Sequence, residues 1–122
     1  MKYVIMFTFD PELDAQVPQD RMQGILGRAY QWYGDNAAHI ADGGAQLQPV
    51  ETATTVKYSE SGSVVVDGPF SEAKEVVGGF SIIDVPDMDA AIALVRTWPY
   101  LELPGWGVEI RPILIISGQS PE

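Results

Sequence analysis

Lys2-Tyr3-Val4-Ile5-Met6-Phe7-Thr8-Phe9 is a run of β-favouring residues that stays apolar on both sides of a two-residue alternation. Tyr3, Ile5, Phe7 and Phe9 take one side, and Val4, Met6 and Thr8 take the other. A strand that is apolar on both faces belongs in the middle of a sheet and is buried twice. The segment therefore predicts a sheet with something packed on each side of it. Asp10-Pro11 breaks the run, and a polar loop is expected up to Pro18.

Downstream, Met22, Ile25, Leu26, Ala29, Tyr33, Ala37 and Ile40 recur at three- and four-residue spacing, which predicts an amphipathic helix from Gln19 to about Asp42. Gly24, Gly27 and Gly34 each cost about 1 kcal/mol against Ala inside such a helix, and Gly43-Gly44 is expected to end it as a C-cap. Ala45–Pro49 and Ala53–Tyr58 are expected as short strands, the second returning through a Ser59–Gly62 loop into Ser63–Asp67. A turn at Asp67–Phe70 leads to a single helical turn from Ser71 to Glu75, capped by Ser71. Val76–Val85 is a further strand. Asp87 is placed as the N-cap of a second helix from Met88 to Trp98, which Pro99 stops. An aromatic loop then leads into a last strand, Val108–Ile116, apolar on both faces.

The order is βα, a β-rich middle, then βαβ, which predicts an α+β, ferredoxin-like sandwich with an inserted β-hairpin. Two helices cover only one face of the sheet. The other face needs a partner, and a second copy of the chain is the simplest one. A homodimer is thus expected, built from one domain at residues 1–117 with a frayed tail at 118–122.

Composition narrows the chemistry. The chain has 122 residues, 46% of them apolar and 20% charged, which suits one packed core. A net charge of −10 without any basic cluster disfavours nucleic acid and anionic membranes as partners. With no cysteine and a single histidine, His39, thiolate and multi-histidine metal sites are excluded, and neither a cofactor nor a metal is expected. No apolar run reaches the roughly 20 residues that a bilayer span needs, and the N-terminal apolar run is too short for a secretory signal. A cytoplasmic address is the expectation.

The stretch Asp67-Gly68-Pro69-Phe70-Ser71-Glu72-Ala73-Lys74-Glu75, followed by Val76-Val77-Gly78-Gly79-Phe80, closely resembles the DGPF-motif branch of the YCII-related domain family. Leu47-Gln48-Pro49, Thr52–Val56 and Val108–Pro112 support the same resemblance, which covers nearly the whole chain. It implies a ferredoxin-like fold that dimerises through its sheets, the dimeric α/β-barrel arrangement, with a cleft for a small molecule. For some members it also implies an acid/base pair of a first-helix histidine and an aspartate. Here the comparable stretch is Ala29-Tyr30-Gln31-Trp32-Tyr33, which has no histidine, so the pair is not carried over onto His39.

Candidate chemistry is therefore sparse. His39 is grouped by helical spacing with Arg28, Trp32 and Asp35 as a pocket-edge acid or base, against the plainer role of a half-exposed histidine near a helix end. Asp67 either fixes its turn or aims a carboxylate at a ligand. Glu109 and Arg111 share one strand face, as an internal ion pair or a ligand clamp. Trp32, Trp98, Tyr100 and Trp106 are wall candidates for a cleft, or core. The proposed ligand site comprises Trp32, Asp67, Phe70, Lys74 and Arg111, with Asp67 and His39 as the weak catalytic candidates and Arg111 neutralising a small organic acid. A lyase or isomerase step on that ligand stands as one function. A non-catalytic interaction or regulatory accessory module stands as the other.

Overall fold

The computed structural model describes residues 1–69 and 73–115. It is an α+β protein whose main sheet has four antiparallel strands: β1 (Lys2–Phe9), β2 (Ile40–Gln46), β5 (Val76–Asp84) and β6 (Gly107–Pro112), in the order β2-β5-β1-β6. That order is compatible with a ferredoxin-like fold. The β3 (Thr54–Ser59) and β4 (Gly62–Asp67) strands form a separate two-stranded hairpin inserted between β2 and β5. Among the described residues three α-helices accompany the sheet: α1 (Pro11–Asp14), α2 (Gln19–Asp35) and α3 (Met88–Val95). No helix among the described residues is long and apolar enough to cross a membrane.

β1 is central, as its two-sided apolar pattern requires. Its odd-numbered residues Tyr3, Ile5 and Phe7 are buried with Ile83 of β5, Ala29 and Trp32 of α2, and Ala91 and Val95 of α3. Its even-numbered residues Val4 and Met6 lie on the opposite face, in register with Ile82 and Phe80. Among the described residues the core packs no helix onto that face, and the four side chains are half-buried.

The first helix stops at Asp35, seven residues short of the expected end near Asp42. Asn36 leaves helical geometry at φ −109°, and its side-chain Nδ2 donates to the carbonyl of Trp32, closing the last turn. Ala37–His39 forms a 3-10 turn, and Ile40, read as the last residue of the helix stripe, opens β2 opposite Ile83. Gly43-Gly44 is not a helix cap but lies within that strand. Gly44 has φ +71°, and a Cβ there would collide with the carbonyl oxygen of Phe80, so the irregular β2–β5 pairing depends on it.

The loop expected at 10–18 contains α1, capped by Asp10, whose Oδ1 accepts from the Glu12 N–H at 3.0 Å. Asp87 caps α3 as expected, accepting from Ala90 N–H at 2.9 Å. That helix ends at Val95, and Pro99 begins a 3-10 turn, Pro99–Glu102. The last strand ends at Pro112 rather than Ile116. The helical turn expected at 71–75 falls partly outside the described residues, as do Ile116 and the tail at 118–122.

Candidate functional site

The helix-covered side of the sheet opens into a cleft of about 670 Å³. One wall is a ladder of stacked rings. Phe9 lies on Trp106 with centroids 5.0 Å apart, Trp106 on Tyr100 at 4.4 Å, Tyr100 on Trp98 at 5.4 Å, and Trp98 on Phe7 at 4.5 Å. Phe7 and Phe9 come from β1 and the other three from the segment after α3, so the ladder joins sheet to loop through offset aromatic contacts. Facing it, α2 contributes Met22, Leu26, Tyr30 and Tyr33, one side of the helix at four- and three-residue steps. The 45–51 segment closes the rim.

Gly78 and Gly79 form part of the cleft's floor. A Cβ on Gly78 would approach the Phe9 ring to 2.7 Å, and one on Gly79 would approach the Ala45 carbonyl oxygen to 2.8 Å. The paired glycines therefore let β2 and Phe9 lie close against β5, giving a physical role to the Val-Val-Gly-Gly-Phe run.

Several polar groups are fixed around this apolar space. The Trp106 indole N–H donates to Asp14 Oδ1 at 3.0 Å, holding that carboxylate beside the ladder. Tyr33 donates to Ser81 Oγ at 2.7 Å, because the Ser81 hydroxyl itself donates to the Gly43 carbonyl at 2.7 Å. Burial pushes the Tyr33 hydroxyl above its ordinary pKa of 10.0. The Tyr100 hydroxyl is raised as well, first by burial and then by the charge of Asp14 and by Tyr30, so both phenols remain neutral near pH 7. Trp98 is 6% exposed, and its indole Nε1 is buried without a hydrogen-bond partner among the described residues. An unpaired buried donor of this kind costs about 1–3 kcal/mol. Among the described residues no group of three His, Cys, Asp or Glu side chains is arranged to hold a metal ion.

The five residues proposed from sequence are dispersed. Trp32 is 5% exposed and lies behind the cleft, edge-on to Trp98 at 5.0 Å, with its N–H donated to Thr97 Oγ1 at 2.8 Å. Asp67 is exposed at the end of β4 in the hairpin. Lys74 is largely exposed, with Nζ 3.6 Å from the buried Asp10 carboxylate. Arg111 lies on the bare face of the sheet opposite Val4, with Glu109 opposite Met6, and both are exposed. Phe70 lies outside the described residues. His39 is exposed at the end of its 3-10 turn, so the helical grouping with Arg28, Trp32 and Asp35 is not formed. None of the four described candidates, nor His39, lines the cleft.

Three of the four proposed wall aromatics, Trp98, Tyr100 and Trp106, do line it. Sequence reasoning missed Asp14, Tyr30 and Glu51 as lining residues. The Tyr30/Tyr33 spacing on the α2 stripe was the one available signal. Asp14 and Glu51 belong to a four-residue helix and a 3-10 turn that have no periodic pattern to reveal them.

An antiparallel α+β sheet with an inserted hairpin and an aromatic cleft under its helices is thus the class of protein in hand. The chain belongs to the YCII-related domain family, whose sequence pattern matches residues 1–117. It is also similar to an uncharacterized protein of Rhizobium meliloti (strain 1021), 34% identical over 78 residues. That match covers 63% of this chain and 63% of the relative, less than two thirds of either.

Proposed function

We propose that this protein is a homodimeric binder of a small organic molecule, from the DGPF-motif branch of its family, with the aromatic cleft as the binding site. The observation that carries this reading is the cleft itself: about 670 Å³ walled by five rings in successive contact, with hydroxyl and carboxylate groups held at defined positions. Apolar walls with a few fixed polar groups are the usual construction of a small-molecule site. A lyase or isomerase step would need a base there, and Asp14 and Glu51 are the carboxyl side chains in the lining. Orientation of a ligand requires only the walls and is the better supported role.

The second copy is assigned to the bare face of the sheet, giving the dimeric α/β-barrel arrangement. Val4, Met6, Phe80 and Ile82 supply its apolar centre. By register, Lys2 and Arg111 stand on this face with Asp42, Asp84 and Glu109, a nearly balanced set in a chain of net charge −10. Two strongly acidic molecules meet with least repulsion through such a surface. A two-fold axis also allows Glu109 of one copy to meet Arg111 of the other. The same net charge supports no affinity for nucleic acid or anionic membranes.

The β3–β4 hairpin supports the alternative of an interaction module. Val56, Tyr58 and Val65 share one face of it, 62%, 84% and 69% exposed. A screen of neutral aromatic fragments by NMR separates the two readings. Binding to the cleft shifts the indole signals of Trp98 and Trp106. If no fragment moves them at millimolar concentration, the cleft is not a ligand site and the hairpin reading takes its place.

A further inference from the structure

The charge of the cleft is one-sided. Its lining includes two carboxylates, Asp14 and Glu51, and none of the seven Lys and Arg residues nor His39. The residues outside the described set, 70–72 and 116–122, contain no Lys, Arg or His either. The nearby cations are engaged elsewhere: Arg28 is paired bidentately with Glu102, and Lys74 lies beside Asp10. An acidic ligand entering this space would lose water and find no counter-charge, in the field of a protein already at −10.

Among the remaining polar groups, acceptors stand beside the carboxylates. Asp14 uses one carboxylate oxygen on the Trp106 N–H, and its other oxygen makes no hydrogen bond among the described residues. Gln46 and Gln48 add amides that can accept or donate, and Tyr30 lines the same space. Within the ladder the middle rings cover one another's faces, so they turn apolar edges to the cleft. The exposed Tyr30 ring, which stacks on no neighbour among the described residues, has a face free for a cation.

Resting on the reading of the cleft as a small-molecule site, we infer that its ligand is an organic cation, a protonated amine on an aromatic or branched apolar body. The body lies against the ring ladder, and the ammonium is held by Asp14 and Glu51 with Tyr30 beside it. This reverses the expectation of an acidic ligand, which rested on Arg111 reaching the site.

Three probes of the same size and shape test the inference: 2-phenylethylammonium, 2-phenylethanol and phenylacetate, titrated against the full chain by calorimetry and tryptophan fluorescence. The cation is expected to bind on the order of tenfold more tightly than phenylacetate, with a preference that shrinks as salt rises. Asp14→Asn should weaken the cation about fivefold and 2-phenylethanol by clearly less. Ala15→Trp, at an exposed lining position, should weaken all three probes. Equal or tighter binding of phenylacetate, or an Asp14→Asn variant that affects cation and alcohol alike, overturns the cation assignment while the cleft remains a binding site. Failure of all three probes to bind at millimolar concentration overturns the cleft reading and this inference with it.

Discussion

Tyr3, Ile5 and Phe7 are 2%, 0% and 6% exposed on the helix-covered face of the sheet, whereas Val4 and Met6, their neighbours in the same strand, are only half-buried on the other. The side chains are of comparable hydrophobicity and differ only in the direction of the pleat. Beneath the helices they close a core and then a ladder of rings that borders the cleft. Opposite, they make an apolar strip flanked by charges of both signs. One strand thus borders two different surfaces, the aromatic cleft on the helix-covered side and an apolar strip on the other.

The sharpest way to break that contrast is at the ring shared by core and cleft. Trp98→Ala removes the contacts to Phe7, Trp32, Tyr33 and Tyr100 together. It is expected to cost about 3–5 kcal/mol in urea unfolding followed by circular dichroism, even after the unpaired Nε1 is removed with it. A loss below 1 kcal/mol would mean that the ladder is not part of the core.

On the bare face the corresponding change should leave folding largely intact and act on association. Ile82→Asp puts a carboxylate at the centre of the proposed interface. The native chain should sediment at twice its mass at micromolar concentration, and the variant should associate on the order of 100-fold more weakly. A native chain that sediments as a monomer removes the interface.

A smaller effect tests how α2 is fastened over the covered face. Tyr33→Phe deletes the hydroxyl donated to Ser81 while Ser81 keeps its bond to Gly43. The expected loss is about 1 kcal/mol. Because Tyr33 and Tyr100 both have raised pKa values in the folded chain, stability is fully present below pH 10.0 and falls as pH rises above it. Tyr33→Phe should flatten that alkaline loss.

The smallest expected effect is at the exposed edge. Hydrogen bonding from Arg28 lowers the pKa of Glu102 below 4.5, and hydrogen bonding from the N-terminal ammonium lowers that of Asp84 below 3.8. Folded values below the unfolded ones mean that these pairs stabilise above those pH values and stop doing so as pH falls through the folded values. Glu102→Gln should therefore reduce the acid-side slope slightly, by an amount set by exposed pairing. A change at pH 7 larger than that of Tyr33→Phe would contradict the ordering.

Much of the fold was legible because β1, α3 and the two hairpin strands carry local signals: alternation, a capping aspartate and a Ser-Glu-Ser-Gly turn. The end of α2 was not, because Ala37 and Ile40 continue the helical spacing after Asn36 has already turned the chain. Ile40 is apolar for a different reason, its place opposite Ile83 in the sheet. The cleft was half legible. Its tryptophans could be named as wall candidates from composition and position, but Asp14 and Glu51 look like ordinary surface carboxylates in sequence. Arg111 pointed to the wrong place because residues 109 and 111 share a face that only the sheet's order identifies as the bare one.

The sequence by itself determined the central strand, the βα and βαβ halves, the inserted hairpin, the surplus of negative charge and the family. These follow from periodicity, turn chemistry and composition, which are properties of neighbouring residues. Only the tertiary structure decided which aromatics line the cleft, that Trp32 stands behind it, and that its charged lining is wholly acidic. Those depend on contacts between residues as distant in the chain as Asp14 and Trp106, whose hydrogen bond exists only once β1 and the segment after α3 have packed side by side.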